Sequence, residues 1–142
     1  MPATIVRRTG NRLSEWLGAS ARSEREFVAL VEGGLPTSTV AHMEARGLEK
    51  SEVFTIVHPR TLKHRKSRKQ HLSPEESERV LRMARLLAQA ESVWGNRESA
   101  LRWMRAPKRR FEGRTPFELL RTEPGGRLVE EMLTQIDDGM FA

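Results

Sequence analysis

The chain contains no cysteine, which removes disulfides, a thiolate nucleophile and a favoured zinc ligand together. It also has no apolar run near the roughly eighteen residues that a membrane span needs. The first ten residues, Met1 to Gly10, carry Arg7 and Arg8 with no apolar segment behind them, so they do not read as a secretory leader. Four histidines (His42, His58, His64 and His71) lack metal-ligand spacing, and no metal or cofactor is expected. No nucleophile, base and orienting acid assemble from local motifs. The glycine pairs Gly33-Gly34 and Gly125-Gly126 are too short and wrongly placed to cradle a phosphate. Glu91 and Glu98 are the nearest approach to a carboxylate pair, and exposed acids are the ordinary reading of both. These absences describe a cytoplasmic binding protein without catalytic residues, not an enzyme and not a membrane protein.

What is present is charge, unevenly placed. The net charge of +6 over 142 residues arises entirely before Leu72. Thirteen Lys/Arg stand against seven Asp/Glu up to His71, and twelve stand against twelve beyond it. Such an asymmetry points to a polyanion-facing first half joined to a charge-balanced second half. At this length the chain holds one compact domain or two small ones. We divide it into residues 1–71 and 72–142.

Apolar residues recur at helical spacing nearly everywhere, with no repeats, so the fold class is all-α. Met1 to Gly10 lacks periodicity and is expected to fray. Asn11 to Gly18 forms a short helix through Leu13, Trp16 and Leu17, with Trp16 a candidate dimer contact. Ser23 to Glu26 is a capping box, and Phe27, Val28, Leu30 and Val31 follow as a buried stripe ended by Gly33-Gly34. A helix opened by Pro36 buries Val40 and Met43 and stops near Gly47. Leu48 to Thr55 and Pro59 to about Lys66 are then two short helices joined by Ile56-Val57-His58, the layout of a helix-turn-helix. The corner lacks the usual glycine, and Pro59 pins the second helix instead.

Ser73-Pro74-Glu75-Glu76 combines cap, proline and reciprocal glutamate, and starts a helix running to about Trp94. Gly95 stops it, Asn96 caps the next, and Pro107 closes that one. Trp94 and Trp103 fall on apolar faces and read as core. Thr115-Pro116 with Glu118 is a third capped start, and a last helix is expected to follow Gly125-Gly126 and end at Gly139.

From Arg60 to Lys69 six of ten residues are basic and none is acidic. As the second helix of a helix-turn-helix this segment is suited to the major groove. Arg60, Thr61 and His64 are expected at base edges, and Lys63, Arg65, Lys66 and Arg68 at phosphates. Operator DNA is the expected ligand, bound by a homodimer formed through the N-terminal half.

The chain resembles the Xre/MbcA/ParS antitoxin family. The resemblance is strongest over 72–142, on Leu72-Ser73-Pro74-Glu75-Glu76-Ser77, Ala88 to Gly95, Ala100 to Met104, Gly113-Arg114-Thr115-Pro116, Leu119-Leu120, Thr122 and Gly139-Met140-Phe141-Ala142. A looser likeness runs from Gly34-Leu35-Pro36 to Arg60 through Lys66. It implies an N-terminal helix-turn-helix-like region followed by a small helical toxin-binding domain. It further implies that this domain covers the active site of a cognate RES-domain toxin, an NAD-consuming enzyme, with the antitoxin acting by exclusion. On this sequence the covering surface maps to the loop from Arg105 through Lys108, Arg109, Arg110, Gly113 and Arg114 and to the last four residues, Gly139, Met140, Phe141 and Ala142. The cationic side chains of that loop are expected to seat at the mouth of the toxin's dinucleotide site. The rival reading is a small helix-turn-helix transcription regulator whose C-terminal domain only oligomerises.

Overall fold

The computed structural model describes residues 12–139. The expected fraying of Met1 to Gly10, the helix start at Asn11 and the tail residues Met140, Phe141 and Ala142 lie outside them. The described residues are helical, with no strand among them. In chain order the helices are α1 (12–17), α2 (Glu24–Gly33), α3 (Ser38–Ala45), α4 (Lys50–Val53), α5 (Pro59–Ser67), α6 (Pro74–Trp94), α7 (Arg97–Arg105), α8 (Pro116–Leu119) and α9 (Glu123–Asp137), with a 3₁₀ turn at Arg109–Phe111. Among the described residues they form two compact units: those within Ser14–Leu81, and those within Met1–Leu13 together with those within Arg82–Ala142.

The punctuation residues act as their chemistry dictates. The Ser23 hydroxyl accepts from the Glu26 amide, Asn96 from Ser99 and Thr115 from Glu118, each satisfying an amide that has no partner inside the helix. At α6 the box is reciprocal: Ser73 Oγ accepts from the Glu76 amide at 3.1 Å, and Glu76 Oε1 accepts from the Ser73 amide at 2.9 Å. At α5 an unanticipated residue caps the helix. The His58 imidazole Nδ1 accepts from the Arg60 amide at 3.1 Å, directly before Pro59 at the first helical position.

The Ser14–Leu81 unit is built around Trp16, Leu17, Leu35, Val40, Met43, Val53, Ile56, Val57, Leu62, Leu72 and Val80, all nearly inaccessible to solvent. Trp16 lies inside this core with the Arg46 guanidinium 4.7 Å from its ring centre, so it is not the dimer contact envisaged from the sequence. The unit ends inside α6 and not at His71, because residues 71–77 are tied to the end of α2. The Leu72 amide donates to the Leu35 carbonyl at 2.8 Å, the Leu35 amide to Ser77 Oγ at 2.8 Å, and the His71 ring meets the Gly34 carbonyl at 2.8 Å. Gly34 is required here twice over. Its φ is +81°, and a Cβ on it would stand 2.2 Å from the Leu72 carbonyl oxygen. The expected buried stripe of α2 reduces to Phe27; Leu30 and Val31 are half-buried and Val28 is 52% exposed.

In the other unit Met83, Leu87, Met104, Leu120, Val129 and Leu133 are buried together with Ala84, Ala88 and Ala100, and α8 packs against both α7 and α9. The last helix begins earlier than its glycine pair implied. Thr122 caps it by accepting from the Gly125 amide at 3.1 Å, and Gly125 and Gly126 lie within its first turns. They serve close approach within the helix instead of preceding it. A Cβ on Gly125 would lie 1.8 Å from the Leu119 carbonyl oxygen, and one on Gly126 would lie 3.0 Å from the Arg82 side chain. Arg82 donates in turn to the Leu120 carbonyl at 3.0 Å, satisfying the end of α8.

Candidate protein and nucleic-acid interfaces

In the first unit α5 carries the basic residues. Leu62 is its only buried residue. Arg60, Lys63 and His64 recur at the three and four spacing that places side chains on one helix face, and all three are exposed. Lys66 and Arg68 are exposed as well, and Thr61 is half-buried. The helix starts on His58 and Pro59 after a turn held by α6: Arg79 Nε donates to the Ile56 carbonyl at 2.7 Å. A groove-sized helix with an exposed cationic face, attached by a short corner, has the form that reads DNA.

Arg65 does not join that face. Its Nε donates to Glu76 Oε1 at 2.7 Å and its Nη2 to Glu76 Oε2 at 3.0 Å, a bidentate pair whose side chains are 25% and 11% exposed. The hydrogen bond to Glu76 raises the guanidinium's pKa further. Burial alone would raise the Glu76 carboxyl, but the bonds from Arg65 and from the Ser73 amide outweigh it and hold the group below its ordinary range. Arg65, expected at phosphate, is thus an anchor between α5 and α6. Adjacent basic residues look alike in a sequence, and only the capping glutamate eleven positions on distinguishes this one.

In the second unit the loop after α7 is a closed structure. The Lys108 amide donates to the Arg114 carbonyl and the Gly113 amide to the Lys108 carbonyl, both at 3.0 Å. Buried Phe111 pins the turn between them, with Glu112 in the left-handed region at φ 56°. The loop therefore presents its side chains from a fixed frame. Arg109 is exposed, Arg110 donates to Gln135 Oε1 at 3.0 Å, and Arg114 faces Glu118 at 3.9 Å with both side chains more than half exposed. Lys108 behaves differently from its neighbours. Its ammonium sits 4.7 Å from the centre of the Trp103 ring, and burial lowers its pKa. Arg105 is half-buried at the end of α7, beside a shallow depression lined with Glu98, Arg102 and Ala106. Gly139 follows α9 with φ +78°.

The two tryptophans read as core are a surface pair. Their ring centres are 6.4 Å apart, with Trp94 39% exposed and Trp103 half-buried. The glutamates do not pair with each other either. Glu91 is buried and meets Arg12 at 3.4 Å, while exposed Glu98 meets Arg102 at 3.6 Å. Among the described residues no three His, Asp or Glu side chains are grouped to hold a metal, and no helix is long and apolar enough to cross a membrane.

Residues 26–85 match the antitoxin Xre-like helix-turn-helix domain, and residues 89–139 match the antitoxin Xre/MbcA/ParS C-terminal toxin-binding domain. An "Antitoxin Xre" of Pseudomonas putida is 40% identical over 118 residues, covering 82% of this chain and 74% of that protein. The chain belongs to the Xre antitoxin family. An "Antitoxin Xre" of Yersinia enterocolitica is 31% identical over 98 residues, 67% of this chain and 66% of that one. A protein of Sphingobium named "Prs ADP-ribosylating antitoxin" is 34% identical over 91 residues, 58% of this chain and 57% of its own length. The chain is accordingly an antitoxin of a toxin-antitoxin system, with a helix-turn-helix domain and a toxin-binding domain. It acts by binding and is not an enzyme. The cationic loop, the tryptophan pair and α9 all fall within the toxin-binding segment, whereas α5 falls within the helix-turn-helix segment.

Proposed function

We propose that this antitoxin neutralises a RES-domain, NAD-consuming toxin by laying the loop 105–114 and the chain end from Gly139 to Ala142 over the mouth of the toxin's active site. The observation that carries this reading is the closed loop, held by paired main-chain bonds and Phe111 within the toxin-binding segment. A fixed loop loses little conformational entropy on binding. Its guanidinium groups can pair bidentately with carboxylates at the rim of the toxin's site. Arg109 and Arg114 are the best placed, Arg110 can join by leaving Gln135, and Lys108 serves the loop's own structure through Trp103. Phe141 adds an apolar anchor of the kind that carries much interface energy once desolvated.

The helix-turn-helix domain provides a second role in the cytoplasm: a homodimer formed through the N-terminal half binds operator DNA and represses the antitoxin's own operon. Arg60, Thr61 and His64 contact base edges, and Lys63, Lys66 and Arg68 contact phosphates. The test is co-expression with the product of a neighbouring RES-domain gene. The toxin alone should arrest growth, and the pair should grow and co-purify. Arg109→Glu with Arg110→Glu, or deletion of Phe141-Ala142, should weaken that protection. Undiminished toxicity beside the intact antitoxin would overturn the proposal and leave the chain as a DNA-binding regulator alone.

A further inference from the structure

One side of α2 has no role in the fold. Arg25, Val28, Ala29 and Glu32 follow the three, four and seven spacing of a single helix face, and all four are exposed. The face has a small apolar centre at Val28 and Ala29, a cation one turn before it and an anion one turn after it. Neither Arg25 nor Glu32 is tied to another described residue. Alongside lies a shallow depression of about 360 Å³, lined by Ser20, Arg22, Glu26, Ala29 and Leu30.

This pattern is complementary to itself in one orientation. Arg25 stands as far before the Val28-Ala29 centre as Glu32 stands after it. Two copies of α2 set antiparallel about a twofold axis through that centre bring Arg25 of each opposite Glu32 of the other, and Val28 of each beside Val28 of the other. A parallel arrangement would set like charge on like. A twofold interface requires such self-complementarity, because the same patch must serve both sides.

We infer that the exposed face of α2 is where a second copy of this chain docks, antiparallel, around Val28 and Ala29. The inference rests on the homodimer reading above and names its surface. A ten-residue helix is only about 15 Å long, so the interface is smaller than those of tight complexes and the free dimer dissociates on dilution. On an operator with paired half-sites, each copy holds the other in place.

The experiment is sedimentation equilibrium of the full chain over a wide concentration range, with circular dichroism to confirm that each variant is folded. Wild type should dimerise, and Val28→Glu should raise the dissociation constant about tenfold or more. Arg25→Glu and Glu32→Arg should each weaken the dimer, since each sets like charges opposite one another. The double variant should recover most of the loss, because the pairs re-form with signs exchanged. In this cysteine-free chain, Ala29→Cys should yield a disulfide-linked dimer on mild oxidation. Dimerisation unchanged by Val28→Glu, or a double reversal weaker than either single one, would overturn the α2 interface while leaving the homodimer standing. A wild type that stays monomeric throughout would overturn both.

Discussion

Replacing Arg65 by methionine separates two roles that a basic residue in a DNA-reading helix can have. The pair with Glu76 is bidentate and mostly shielded, with side chains 25% and 11% exposed. An exposed pair contributes about 0.2–1 kcal/mol, whereas stripping one partner from a fully buried pair costs about 3–5 kcal/mol. Arg65→Met keeps most of the aliphatic stem and leaves Glu76 with its Ser73 bond, so a cost of about 2 kcal/mol is expected, in line with charged hydrogen bonds generally. In a small domain that lowers the melting temperature by roughly 10 °C. Urea denaturation followed by circular dichroism measures the loss, and Arg65→Lys should restore only part of it, since one ammonium cannot make both bonds.

The same pair has a pH signature. The Glu76 carboxyl is held below its ordinary range in the folded chain, so its contribution is complete above the unfolded value and fades as pH falls through the folded one. Below about pH 5 the wild type should therefore lose stability more steeply than Glu76→Gln. DNA binding provides the decisive comparison. As an anchor, Arg65 can be removed with loss of affinity but an unchanged slope of log affinity against log salt. As a phosphate contact it would take about one unit of slope with it. A reduced slope together with unaltered stability would refute the anchoring argument.

Other consequences are simpler to check. Gly125→Ala forces a methyl into the Leu119 carbonyl and should cost at least about 1–3 kcal/mol, whereas the same change at Gly33, which has open space around it, should be neutral or stabilising by a few tenths of a kcal/mol; paired thermal melts decide this. Asn96→Ala removes the acceptor for the Ser99 amide and should cost about 1 kcal/mol in a urea titration. Lys108→Met removes the ammonium from the Trp103 ring and should cost about 0.5–1 kcal/mol, with a change in tryptophan emission that Arg109→Met does not produce.

Helix existence and most helix ends were readable in the sequence because they are local. Ser73, Asn96 and Thr115 carry their meaning within three residues, and each caps as expected. The errors share a different cause. Gly125-Gly126 looked like the link before the last helix because glycine marks both helix boundaries and close approaches, and only the Leu119 carbonyl distinguishes them. Trp16 and Trp94 exchanged places. The long α6 turns Trp94 to the surface at its last residue, while a short helix beside Arg46 encloses Trp16. Burial depends on packing partners far along the chain, which periodicity does not name. The candidate interfaces were legible as charge clusters. Their internal division was not, since Arg65 beside Glu76 and Lys108 beside Trp103 are spatial pairings.

On the proposed function, the antitoxin silences its toxin by occupying the active site with loop 105–114 and the chain end. The most direct test is titration of the purified antitoxin into its cognate RES-domain toxin while NAD consumption is followed. The rate should fall in proportion to added antitoxin and reach zero at a fixed ratio, with Arg109→Glu/Arg110→Glu needing a large excess. A toxin that forms the complex and still consumes NAD at its full rate would contradict the claim.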